Sequence, residues 1–480
     1  MTFNLLAGKS NECSDAKGNL LIFSIREDKK LKSKIKNYSF RATTPVILVF
    51  LFFALFASAL NAQQAPAKDI NYALFNGRII KDIVLVGNKH TRPEVIRREL
   101  LFKSGQIFSD TLLQKSKRRL ENLWLFNRVE FIPFATSNKG DSVSVIVAVT
   151  ERWYFFPFPV FEVQDRDWNK LTYGFGFAHT NFHGRNEKLI GSLQFGNRPG
   201  TKFSYLNPWI GDDLHLFTGF YFCTFRLNNY SYDFPEKHIY SVFHFGKYWT
   251  RDFMTEVSFM RDQISVNAEN AHYMATESKR DVNYGLTLST LMDYRDLYAY
   301  PSKGWYLNFQ ISKMGLFEPK LDYMRYYLDF RKYINIKPFI LAGRIFTIQT
   351  QGKLPVYDRV YIGYKERIRG HFNEVFTGNH AFILGGAIRL PLLPVRYFTF
   401  DSQILPDVFT TNLKFGINVG AFIESGQVTH TRKQFALRKM VTGFGAGLHF
   451  LLPYVEVLRL DLAFDEKMNH QFIAEILMPF

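Results

Sequence analysis

The sequence predicts a mainly β protein: a transmembrane antiparallel barrel of about sixteen strands, preceded by one small α+β domain of β-α-α-β-β order. Three observations carry this. Aromatic residues make up 17% of the 480 positions, with 50 Phe and 25 Tyr, well beyond what a soluble core needs. Mean hydropathy is only −0.12, and after residue 60 no apolar run is long enough for a membrane helix. From Trp153 onward helical periodicity gives way to short alternating segments separated by turn residues, the pattern of strands with one lipid face and one lumen face.

The chain divides into 1–62, 77–152 and 153–480. In the first part Lys29, Lys30, Lys32, Lys34, Lys36 and Arg41 precede an apolar run of 15 residues, Val46 to Leu60, followed by small residues. This is the layout of a secretory signal peptide, with cleavage expected after Ala59 or Ala62. Residues 1–28 are read as lying upstream of the true start, at a non-Met codon, since the next methionine is Met254. With Cys13 ahead of the signal, the mature chain is expected to hold one cysteine, Cys223, and no disulfide. Cysteine-type metal sites are excluded on the same count. The net charge of +17 is assigned to lumen and loops, since no nucleic-acid motif accompanies it.

Residues 77–152 read as a domain of about 75 residues, marginal but able to fold alone. A strand over 78–86 ends at the turn signal Gly87-Asn88. Thr91-Arg92-Pro93-Glu94 has capping-box spacing, ahead of a helix through Val95, Ile96, Leu100 and Leu101. Ser109 or Asp110 starts a second helix, with Leu113, Leu120 and Leu123 on one face. Two strands follow, 127–134 and one in which Val143, Val145, Val147 and Val149 share a face. An exposed edge on such a unit accepts a partner's strand.

In the barrel, sixteen segments alternate, beginning at 155–163 and ending at 470–480. Trp305, Leu307, Phe309 and Ile311 alternate with Tyr306, Asn308, Gln310 and Ser312. Thr442, Phe444, Ala446, Leu448 and Phe450 alternate with Gly443, Gly445, Gly447 and His449. The last segment places Phe472, Ala474, Ile476, Met478 and the terminal Phe480 on one face. The same period puts Glu424 on the lumen face of the thirteenth strand, with Gly416, Asn418, Gly420 and Phe422.

Between the eleventh and twelfth strands lies an irregular basic stretch, Tyr361 to Phe372, too long for an ordinary hairpin loop. Gly363 and then Arg367, Ile368, Arg369, Gly370, His371 and Phe372 resemble the (V/I)RG(Y/F) motif of the BamA/TamA-like outer-membrane assembly and secretion barrels, the bacterial surface antigen family. His371 departs from the usual aromatic, although Phe372 follows at once. The β-α-α-β-β unit resembles a POTRA domain. Asp293-Tyr294-Arg295-Asp296 with Pro301-Ser302-Lys303-Gly304, and Arg389-Leu390-Pro391, resemble further family motifs. Phe472, Ile476, Met478 and Phe480 resemble its C-terminal barrel signal.

The resemblance implies that the loop folds back into the lumen and that Arg369 pairs with an acid on the thirteenth strand, here Glu424. It implies an outer-membrane protein of a Gram-negative-type bacterium, with its N-terminal domain in the periplasm. The function implied is insertion or translocation of other polypeptides through a seam between the first and last strands; a passive channel or surface receptor is the alternative. The partners implied are outer-membrane lipids, unfolded or secreted client polypeptides, and periplasmic or lipoprotein partners at the POTRA-like domain. No nucleic acid, cofactor, metal or catalysis is expected. The twelve histidines are scattered, and no nucleophile motif such as G-x-S-x-G occurs.

Overall fold

In a computed structural model of the protein, residues 24–25, 71–136, 141–163, 171–211, 214–229, 231–363, 366–371, 374–400, 409–453 and 456–477 are described. The small domain is β1 (Ile79–Val86), α1 (Pro93–Arg97), α2 (Asp110–Glu121), β2 (Phe126–Ala135) and β3 (Ser142–Glu151). Its sheet runs β1-β3-β2, with β1 and β3 parallel. Val143, Val145 and Val147 are fully buried against Ile96, Leu113 and Leu120, so the period-2 and period-3.6 faces meet in one core.

The expected capping box is not formed. Arg92 is the residue before α1 and caps nothing. Thr91 instead bonds the Tyr154 hydroxyl at 2.9 Å and accepts from Asn181 Nδ2 at 3.0 Å. The tertiary contact displaces the local one, and α1 is only five residues long. Burial holds the Tyr154 hydroxyl well above its ordinary titration range, despite its bond to Thr91. It therefore stays neutral in this joint.

The barrel comprises β4 (Phe155–Val163), β5 (Leu171–Phe182), β6 (Glu187–Gly196), β7 (Gly200–Ile210), β8 (Leu216–Asn228), β9 (Pro235–Thr250), β10 (Phe253–Ser265), β11 (Arg280–Asp293), β12 (Gly304–Met314), β13 (Tyr323–Ile336) and β14 (Phe339–Gly352). After a long loop holding the small hairpin β15 (Val360–Ile362) and β16 (Phe376–Gly378), it continues with β17 (His380–Phe398), β18 (Leu413–Thr429), β19 (Val441–Leu452), β20 (Glu456–Asp465) and β21 (His470–Leu477). Each strand pairs antiparallel with the next, and β21 lies beside β4. The predicted fold class holds, with sixteen barrel strands.

α1 stops at Arg97, short of the expected Leu100 and Leu101, and among the barrel strands one boundary differs most. The sequence suggests that β17 ends at Pro391, but it runs on to Phe398, with register shifts between Pro391 and Leu393 and between Leu393 and Arg396. The irregularities accommodate Pro391 and Pro394 without ending the strand. Cys223 is disulfide-bonded rather than a lone thiol, and the other cysteine, Cys13, lies outside the described residues.

The lumen face follows the alternation. Asn308 and Gln310 are wholly buried inside, while Phe309 between them is 38% exposed on the outer wall. Gln471 and Ile473 point inward and Phe472 outward.

The small domain is braced on the turns at one end of the barrel. Arg251 Nε donates to Glu99 Oε2 at 2.7 Å. Arg128 Nη1 donates to Asn412 Oδ1 at 2.7 Å. Asn122 bonds the main chain of Asp296 and Tyr298. Gly184, at φ +69°, lets its turn approach the backbone carbonyl of His90 where a Cβ would stand only 2.3 Å away.

Candidate functional site: an anchored lumen loop beside a donor-poor seam

The loop from 353 to 379 turns inward. Gly363, at φ +146°, opens the bend, and its N–H donates to Glu366 O at 2.8 Å. Ile368 is buried in an apolar cluster with Tyr327, Phe346, Ile362 and Ile383. The next residue turns polar. Arg369 Nε donates to Glu424 Oε1 at 3.0 Å, Nη2 to the same oxygen at 2.5 Å, and the Arg369 main-chain N–H to Oε2 at 3.0 Å. Arg369 Nη1 donates to Asp461 Oδ2 at 3.0 Å. The guanidinium also lies 3.5 Å from the centre of the Phe422 ring. One arginine therefore ties the loop to β18 and β20 together, through charge-assisted bonds to two carboxylates.

Asp461 was not named from the sequence. Its signal is there: Arg459, Asp461 and Ala463 alternate with Leu458, Leu460 and Leu462, which places Asp461 inside. A second anchor was also missed, Glu366 Oε2 to Arg344 Nη2 at 2.7 Å. His371 Nε2 lies 2.9 Å from Glu466 Oε2. Here the histidine does what the family's aromatic would not: it links the loop to the far hairpin of β20 and β21. Arg367 is half-buried. Phe372, Met478 and Phe480 lie outside the described residues, as does the side chain of Ile476.

Room for this approach comes from the glycine face of β19. A Cβ on Gly443 would stand 1.5 Å from the Arg369 carbonyl oxygen. Gly370, at φ +101°, is similarly pressed against Phe464 O, at 2.4 Å from an ideal Cβ. Below the loop, Asp461 Oδ1 is 3.5 Å from His449 Nε2, and His449 Nδ1 is 2.7 Å from the Tyr300 hydroxyl. Tyr300 belongs to the turn that touches the small domain. In that turn Arg295 closes back on Asp293 at 2.5 Å, and Asp296 accepts from the Ser302 N–H at 2.8 Å.

The seam between β4 and β21 has an unusual chemistry. Thr180 N donates to Tyr154 O at 2.9 Å, and the register pairs Phe155 with His179. The even-numbered residues of β4 thus spend their main-chain groups on β5. Asn197 N to Leu171 O gives β5 the same parity independently. Phe155, Pro157, Pro159, Phe161 and Val163 consequently aim their main-chain groups at the seam, and two of these five have no N–H. The Trp153 indole donates to the Phe155 carbonyl, so one acceptor of that edge is already occupied. On β21, Asp465 N to Asn469 O fixes the opposite parity, and residues 470, 472, 474 and 476 face the seam. Ser24 and Ile25 pair antiparallel with this edge of β21, opposite Ile473 and Phe472.

Residues 181–473 match the model of the Omp85 superfamily domain. The chain belongs to the Omp85 superfamily. Residues 79–152 match the POTRA model, described as surface antigen variable number repeat. This Omp85 protein is 36% identical over 102 residues to the outer membrane protein assembly factor BamA of Neisseria meningitidis serogroup B, covering 20% of the chain and 13% of that relative. It is 23% identical over 316 residues to BamA of Nitratidesulfovibrio vulgaris, covering 61% and 37%. It is 31% identical over 135 residues to the chloroplastic outer envelope protein 80 of Arabidopsis thaliana, covering 26% and 18%. The chain thus spans less than two fifths of the length of these relatives. Among solved structures, BamA from Haemophilus ducreyi lacking POTRA domains 1–3 aligns at 15% identity with a TM-score of 0.47, covering 83% of each chain. Membership places this Omp85 protein in an outer membrane, bacterial or chloroplast, and agrees with a non-enzymatic barrel.

Proposed function

We propose that this Omp85 protein sits in the outer membrane of a Gram-negative-type bacterium and inserts or translocates other polypeptides through its seam. The observation that carries this reading is the β4 edge. Pro157 and Pro159 withhold two consecutive donors from the seam, so β4 and β21 cannot zip into a full ladder. The Pro157 and Pro159 carbonyls still accept, and a client strand with free N–H groups is a fit occupant. The inward loop ties β18 to β20, the neighbour of the seam strand β21. The POTRA unit covers the start of β1 with residues 105–108 and leaves the part of β1 after Ile80 as a sheet edge, suited to an arriving client or a periplasmic or lipoprotein partner.

Depletion of the protein, followed by quantitation of the outer-membrane and secreted proteomes before cell death, tests the function. A fall in barrel proteins or in a few secreted proteins is expected. Unchanged fractions in depleted cells would replace the reading with a passive channel or receptor. The seam itself is tested by Pro157→Ala with Pro159→Ala. Restoring two N–H donors is expected to stabilise closure by about 1–2 kcal/mol, raising the temperature of heat-modifiable unfolding and slowing client handling. An unchanged unfolding temperature would mean that β21 does not use those positions.

A further inference from the structure

The loop from 430 to 440, joining β18 to β19, has no role in the reading above. β18 is the thirteenth strand of the barrel, so this loop lies at the end away from the small domain. It carries Arg432, Lys433, Arg438 and Lys439, all exposed, and the sequence holds no Asp or Glu from 425 to 455. None of the four cations forms an ion pair among the described residues. Of the carboxylates of the adjoining loops, Glu466 and Glu374 are turned to His371, Asp358 to Arg325 and Glu366 to Arg344. Phe435 and Leu437 are interleaved with the cations, at 43% and 68% exposure.

The loop is pinned to the outer wall rather than to the lumen. Ile383 points inward to the Ile368 cluster, so Phe382 points outward, and Gln427 opposite it shares that face. The Phe435 ring packs edge-on to Phe382, centroids 5.4 Å apart. Ala436 N donates to Gln427 Oε1 at 3.2 Å. Thr431 and Gln434 form a capping box that shapes the first turn. One apolar side chain packed on a lipid-facing wall and a second exposed beside it, flanked by four cations, match the boundary between acyl chains and anionic headgroups.

We infer that this loop is a docking element for anionic, phosphate-bearing lipid headgroups of the outer leaflet, with Leu437 in the acyl boundary and the four cations on phosphate. Each such cation is worth about a fivefold preference. The test uses the full chain reconstituted in mixed phosphatidylcholine and phosphatidylglycerol vesicles, folding being checked by heat-modifiable migration. Leu437→Trp adds a fluorescence increment over the parent protein. Brominated phosphatidylglycerol is expected to quench that increment at least about fivefold more effectively than brominated phosphatidylcholine at equal mole fraction. Glutamine at all four cations is expected to abolish the preference; if that variant fails to fold, Arg438→Gln alone is expected to lower it. Equal quenching by the two lipids, absence of quenching by either, or a preference surviving the charge removal would overturn the proposal. So would loss of the preference in millimolar inorganic phosphate, which would mark a site for a free anion.

Discussion

Arg369→Ala is expected to release the loop from the barrel wall and to produce the largest loss of stability of any single change considered. Its removal leaves Glu424 and Asp461 facing one another without the cation that separates them. For a fully buried pair the cost of removing one partner is about 3–5 kcal/mol. Side-chain exposures of 14% for Arg369 and 19% for Glu424 admit some solvent screening, which lowers the expectation to about 2–4 kcal/mol. The measurement is heat-modifiable unfolding of the folded barrel, combined with external protease cleavage within 353–379. A double-mutant cycle with Glu424→Gln is expected to show strong coupling. Because Asp461 holds the same guanidinium, Glu424→Gln alone is expected to cost less than Arg369→Ala. Equal and independent effects would mean that the two side chains do not act as a pair.

Gly443→Ala is expected to do similar damage by a different route. The added Cβ would fall 1.5 Å from the Arg369 carbonyl oxygen, and the backbone of Arg369 and Gly370 is what it meets. No rotamer change relieves a backbone clash, so either β19 or the loop must shift. Overpacking of this kind costs about 1–3 kcal/mol, and here the ion pair is strained as well. In the Arg369→Ala background, with the loop already released, Gly443→Ala is expected to cost much less than in the parent. Unfolding midpoints of the two single variants and the double variant give the answer. Strict additivity would show that Gly443 serves β19 alone.

Most of the fold was legible because alternation is dictated by two unlike solvents on the two sides of one wall. Phe309 and Gln310 need no partner information to be sorted between lipid and lumen. Glu424 was sorted the same way, while its pairing with Arg369 was implied by the resemblance of the loop. What the sequence concealed is registration between segments. Glu366–Arg344 depends on how far the loop descends. The Thr91 capping box failed because Tyr154 and Asn181, distant in sequence, compete for the same hydroxyl. The glycines of β19 read only as a small-residue lumen face until a backbone was found pressed against them.

Register parity hides the role of Pro157 and Pro159 in the same way. In sequence they are two aromatic-flanked prolines in a strand; which edge they disarm depends on which residues bond β5. Two barrels in a crowded membrane present their seams to each other as well as to clients. Neighbours with complete edges would tend to fuse strand to strand, since a free ladder pairs with whatever offers its complement. An edge missing consecutive donors pairs poorly with another copy of itself, so the same two residues keep identical barrels from locking together.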